Sequence, residues 1–255
     1  MWNRKLVCVP AMALLAVATA HAGTVDDLRA TLAQLHADQP IGATLDVRSE
    51  ASSGDKDKPR VTNVQVHFSM HAEDGALQVS YPARLLQRVD KESAAHAKNP
   101  DASSPLQSLL GTMDPLMIRS LVNVAPSLLR RLEGATLDSR SDATYGGKPV
   151  HLLTFKVPPR VPSENRDDID HYDGQLRIWV GADGVPVAMS AARHYKGSKF
   201  FIHFSFGSSV TMSLRKVGHR LVAEKARFQS SGSGMGNRQH TDIHVALTVE
   251  TPDKT

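Results

Sequence analysis

Apolar positions recur along this chain with two different periods, and the switches between them mark its elements. Val25, Leu28, Leu32 and Leu35 return at helical spacing, with Thr24 as a cap and Asp26 and Asp27 in the first turn, so an amphipathic helix is expected there. Gln39-Pro40 ends it. Ile41, Ala43, Leu45 and Val47 then alternate with Thr44, Asp46 and Arg48, the period of a half-buried strand. A polar loop is expected from Ala51 to Arg60. Val64, Val66, Phe68 and Met70 alternate in the same way, and Asp74-Gly75 turns the chain into Leu77, Val79 and Tyr81, which predicts a hairpin. Pro82 to Lys98 reads equally as a further strand or a short helix, and Asn99 to Ser104 as a polar linker.

Residues 105 to 132 are rich in leucine and methionine from Leu106 to Leu132 among few charges, and are expected to be helical. Pro105, Pro115 and Pro126 each suit a first-turn position, so the segment should break into short helices rather than a membrane span. From Ala135 the pattern returns to period two. Gly146-Gly147, Asp183-Gly184 and a point near Gly218 serve as turns. Strands are expected near residues 150 to 157, 175 to 181, 185 to 196, 200 to 206, 210 to 217, 220 to 229 and 239 to 249. Pro158 to Gly174 reads as a long loop and Ser230 to Gly236 as a flexible interruption. The expected fold is mainly β with α: a curved antiparallel sheet or unclosed β-barrel, an N-terminal helix, and a helical lid or plug inserted between strands.

The first 22 residues have another character. Arg4 and Lys5 precede an apolar run from Leu6 to Ala18 and a small-residue site at Ala20-His21-Ala22, the pattern of a secretory signal peptide cleaved before Gly23. Residues 23–255 are then one β-rich domain located in the periplasm. Cleavage would remove Cys8, the single cysteine, so no disulfide or thiolate metal site is expected in the mature chain. Nor would a cysteine stand at its new N-terminus to take a lipid anchor. Removing Arg4 and Lys5 leaves 28 basic residues against 26 acidic, too small an excess to suggest a nucleic-acid partner. No cofactor is expected.

Candidate chemistry is sparse. His67 and His71 project from one strand face, but four residues of strand set them about 13 Å apart, too far to share an ion. His240 and His244 have the same spacing; His194 and His203 could meet only across strands. Glu164, Asp167, Asp168, Asp170 and Asp173 crowd one loop without the ligand spacing of a calcium loop. No nucleophile elbow, zinc-binding helix or phosphate loop is present, and Gly232-Ser233-Gly234-Met235-Gly236 lacks the lysine of a phosphate cradle. The reading is of a protein that is not an enzyme, with no catalytic or metal residues assigned.

The order of these elements resembles the periplasmic carriers of outer-membrane lipoproteins, the LolA and LolB-like group. Gly75 to Pro82 is similar to their strand ending in proline, and Asp114-Pro115-Leu116-Met117-Ile118 to their short lid helix. Tyr145 to Val150, and Leu176 to Val180 with Asp183-Gly184-Val185-Pro186, are similar to their later hairpins. The resemblance implies an unclosed barrel with an apolar interior that holds acyl chains beneath helices. The chain departs from the family at one point: before the proline Tyr81 stands where the carriers have an arginine that helps govern the lid, which bears on lipoprotein hand-off more than on lipid binding. On this basis the expected function is binding or carriage of a hydrophobic ligand, a lipid or acyl chain, in an apolar cavity. Leu109, Met113, Leu116, Met117 and Leu121 from the helices and Val66, Phe68, Met70, Val79 and Ile178 from strands are the expected lining. The same helices could instead be ordinary core. The alternatives are a structural or protein-interaction module with envelope proteins as partners, and an unrecognised hydrolase.

Overall fold

A computed structural model describes residues 24–55, 57–159, 167–199 and 202–250. The signal-peptide segment and Glu164 of the acidic loop lie outside the described residues. The chain opens with α1 (Val25–Gln34), followed by β1 (Ile41–Asp55), β2 (Arg60–Glu73) and β3 (Ala76–Ser80). Four helices come next: α2 (Ala83–Lys98), α3 (Pro105–Thr112), α4 (Pro115–Val122) and α5 (Ala125–Leu132). Seven strands complete the fold: β4 (Thr136–Tyr145), β5 (Lys148–Lys156), β6 (Ile169–Val180), β7 (Pro186–Lys199), β8 (Ile202–Val217), β9 (Arg220–Gly234) and β10 (Asn237–Val249).

The protein is thus mainly β, with one ten-stranded antiparallel sheet in the order β3-β2-β1-β10-β9-β8-β7-β6-β5-β4, not closed into a barrel. The last seven strands form a meander. The first three join it through β1, which pairs with β10 from Ala43 to Asp55. That pairing explains why Ala51 to Asp55 is strand and not the expected loop: Ala51 sits opposite Thr241 and Thr62, so its backbone groups are satisfied on both sides. Likewise Ser230 to Gly234 continues β9 because Phe204 to Ser208 and Asn237 to Thr241 flank it. The two strands expected over 200 to 217 are one, β8. Between Pro82 and Lys98 the helical alternative holds, and Asp170 to Asp173 of the expected long loop belong to β6.

The turns follow local chemistry. Asp74 and Gly75 both have positive φ (48° and 77°), the two-residue turn that matches the twist of paired strands. The three central prolines fall in the first turns of α3, α4 and α5, where a missing N–H has no cost. The Asp114 carboxylate caps α4 by accepting from Met117 N at 2.7 Å, and Thr24 with Asp27 forms a reciprocal capping box on α1.

One continuous core joins the helices to a single face of the sheet. Leu28 and Leu32 of α1, Leu106 and Leu109 of α3, Ile118 and Leu121 of α4, and Leu128 and Leu132 of α5 are buried with Leu45, Phe68, Phe155, Leu176 and Val245 from five strands. Two backbone contacts pin the helices. Val124 N, between α4 and α5, donates to Leu221 O at 2.8 Å, and the Arg119 guanidinium of α4 donates to the Gly75 carbonyl in the β2–β3 turn. Tyr81 packs its ring against Phe68, centroids 5.2 Å apart, and partial burial raises its phenol pKa. Among the described residues no helix is long and apolar enough to cross a membrane.

Burial separates two leucines of α4. Leu121 is fully buried while Leu116 is 74 % exposed. Leu121→Ala should lower unfolding stability by about 2–5 kcal/mol and Leu116→Ala by less than about 0.5 kcal/mol, measured by urea denaturation. Equal losses would show that α4 does not pack as described.

Candidate functional site

The strands are longer than the helices that cover them, and the strand register shows what happens where the cover ends. Across β6, β7, β8 and β9 the inward-facing residues fall into rungs. The deepest rung is Ile178, Met189, Met212 and Ala226; next come Leu176, Ala191, Val210 and Phe228. Beyond it the character changes to Gly174, Arg193, Ser208 and Ser230, and then to Tyr172, Tyr195, Phe206 and Gly232. The wall therefore grades from thioether and aliphatic groups, through a rung with one cation and small side chains, to an aromatic rim.

The rungs shape a cavity of about 620 Å³ between α4, α5 and the sheet. Its deep wall is apolar and buried: Leu128 of α5, Leu176, Met189, Val210 and Met212. Leu116 and Met117 of α4 overhang it, and Arg130, Arg131 and Arg193 with Tyr172 and Pro158 stand at its open side. The volume lies within the ~300–1,000 Å³ of ordinary small-molecule sites. Beside its open side Gly174 admits no side chain: a Cβ there would fall 2.6 Å from the Val157 carbonyl oxygen and nearer still to the Tyr172 hydroxyl, because the ring of Tyr172 occupies that space.

The polar groups at the mouth have identifiable partners. Arg193 Nε donates to Ser208 Oγ at 2.8 Å, and its guanidinium carbon lies 6.0 Å from the centre of the Tyr195 ring. Tyr195 in turn packs against Tyr172 (5.1 Å) and Phe206 (6.1 Å), so the aromatic rung is continuous. Arg130 donates to Ser127 Oγ at 3.2 Å. The Tyr172 hydroxyl donates to Pro158 O at 3.3 Å.

Of the ten residues expected to line an apolar cavity, Leu116 and Met117 line this one. The other eight do not. Val66, Phe68, Met70, Leu109, Met113, Leu121 and Ile178 are buried in the core, and Val79 is partly buried against it. Sequence reasoning missed Ala191, Arg193, Val210 and Phe228, which sit on strands it did expect, and Ser208, which fell between two expected strands that are one, β8. The alternation Met189, Ala191, Arg193, Tyr195 was the available signal: an arginine in the apolar phase of a strand.

A second concavity, about 1200 Å³, lies on the opposite, outward face of the sheet. Its floor is polar, with Arg48, Glu50, Lys225, Arg227, Asp242 and His244, and Tyr145 and Trp179 stand at one end with ring centroids 6.1 Å apart. Buried Val64, Met212, Ala226 and Val245 border it beneath that polar floor. His67 pairs with Asp46 (2.9 Å) and His71 with Glu73 (3.4 Å) rather than with each other. Among the described residues no group of three or more histidine, cysteine or carboxylate side chains is placed to hold a metal ion.

A scan of the chain against protein-family models finds no match, and a comparison with curated proteins finds none either.

The outward face carries one marked titration. Hydrogen bonds from Arg227 hold the Asp242 carboxyl below its ordinary value, with the nearby His244 adding to the effect and partial burial opposing it. A carboxyl depressed on folding adds stability that is fully present above its unfolded pKa and is lost as pH falls through its folded value. Asp242→Asn should therefore be less stable than wild type at neutral pH, with the difference vanishing in the acid limb. Urea midpoints from pH 7 to pH 2 check this; a difference constant across the range would overturn the assignment.

Proposed function

We propose that the protein binds and carries a hydrophobic ligand, a lipid or acyl chain, in the inner cavity, without catalysing a reaction on it. The observation that carries this reading is the cavity itself: an apolar deep wall continuous with the core, opening at the end of the helical cover beside an exposed leucine. Burial of an acyl chain against Leu128, Leu176, Met189 and Met212 would supply affinity at about 25 cal/mol per Å² of apolar surface removed from water. Met189 and Met212 favour a wall that adapts to chains of different shape. In this reading α4 and α5 are the lid, α1 braces it from the other side through Arg29, which donates to Leu132 O, and the domain is LolA-like.

Two sequence features support the same reading. Export directed by residues 1–22 supports carriage in the periplasm, where acyl chains must cross water between membranes. The resemblance in element order to the lipoprotein carriers supports acyl chains as cargo. Tyr81, packed on Phe68 in place of the carriers' arginine, argues that the cargo and its release differ from theirs.

Ala191 is the site for a decisive substitution, because it lines the cavity midway between Met189 and Arg193 and is only partly buried. Ala191→Trp should fill the space while leaving the fold intact by circular dichroism and melting. Organic extracts of protein purified without detergent are expected to contain a near-stoichiometric amphiphile from wild type and less than about one fifth as much from the variant. A wild type that arrives empty and takes up no added fatty acid would discard carriage and leave the interaction module as the better reading.

A further inference from the structure

The polar rung is placed as a carrier of neutral hydrocarbon would not need it. Arg193 projects from β7 in the same phase as Met189, Ala191 and Tyr195, so its charge belongs to the inner face and not to the solvent-facing one. Its neighbours on that rung are Gly174, Ser208 and Ser230, none of which carries an acidic side chain. Only its Nε is engaged by Ser208, and among the described residues no carboxylate lies within ion-pair distance of it. The terminal nitrogens of a guanidinium held this way suit a planar or tetrahedral oxyanion.

Among the described residues the sole acidic side chain on the cavity's lining is Asp114, whose carboxylate already accepts from the α4 N-terminus at Met117. Four residues of strand separate Arg193 from Met189, about 13 Å of wall that runs from charge to thioether.

We propose that the cavity takes an anionic amphiphile, a single acyl chain whose oxyanion head group, carboxylate or phosphate, rests on Arg193 while the chain runs inward past Ala191 and Val210 to Met189 and Met212. The proposal rests on the carriage reading above and adds the head-group chemistry to it. The Tyr172–Tyr195–Phe206 rung covers the head from the far side.

Titration calorimetry with oleate, oleoyl lysophosphatidic acid and oleyl alcohol, each on wild type, Arg193→Gln and Ala191→Trp, tests both levels separately. Wild type should bind at least one of the two anions roughly tenfold more tightly than the alcohol, the least expected of one charge-assisted hydrogen bond. Which anion wins tells carboxylate from phosphate. Arg193→Gln should bring the preferred anion to the level of the alcohol and leave the alcohol within about twofold of its wild-type affinity. If wild type binds all three alike and Arg193→Gln changes none, the anionic head group is overturned and carriage stands. If none of the three binds to wild type, carriage falls and the head-group assignment falls with it. Ala191→Trp, binding none of the three while still folded, places the binding in this cavity; undiminished binding there would overturn the site.

Discussion

An antiparallel sheet with one apolar face and two free edges has to be covered and stopped, and most of this molecule follows from how that is done. The edges are β3 and β4, which are consecutive in the chain and nine strand positions apart in the sheet. The segment between them, α2 to α5, therefore starts at one edge and ends at the other, and it carries the apolar residues that the inner face lacks a partner for. Cover and connection are the same piece of chain. The edges are then protected in different ways. β3 is only five residues long and its turn is tied to α4 by Arg119, whereas β4 is exposed along its length and carries Asp138, Arg140 and Asp142, charges that discourage pairing with another strand.

The cavity is a consequence of mismatched lengths. Each of α3, α4 and α5 has eight residues, about 12 Å of helix, whereas β8 has sixteen residues, about 53 Å of strand. Helices that short cover part of the inner face and leave the remainder of β6 to β9 projecting. At the boundary the inward phase of the strands changes from large aliphatic residues to glycine, serine and alanine. Had rungs such as Gly174–Arg193–Ser208 carried leucines, the same backbone would have had a longer core and no mouth.

How much of this could be read from the residues depended on whether the controlling interaction was local. Thr24 as a cap, Asp74-Gly75 as a turn and Pro105, Pro115 and Pro126 as helix starts act within a few residues, and they lie where the pattern put them. Ala51 to Asp55 and Ser230 to Gly234 look like loops because their composition is small and polar; they are strands because partners almost 190 residues away for one, and on both flanks for the other, satisfy their backbones. The cavity was harder for the same reason. Val66, Phe68 and Ile178 have the composition of a lining and lie in the core, since apolar character reports burial and not what a residue is buried against. Arg193 and Ser208 become neighbours only through the β7–β8 register.

The cavity is open to solvent along one side, so what it asks of an occupant follows from its lining and not from the cost of a sealed void. Water is well served at the mouth, where Arg193, Ser208 and Gln175 offer partners, but deeper in, the side chains of Leu128, Leu176, Val210 and Met212 present no hydrogen-bonding group for it. The space is thus wettable at one end and dry at the other. A molecule with the same asymmetry, charged at its head and apolar along its length, relieves both conditions at once, which neither water nor a plain hydrocarbon does.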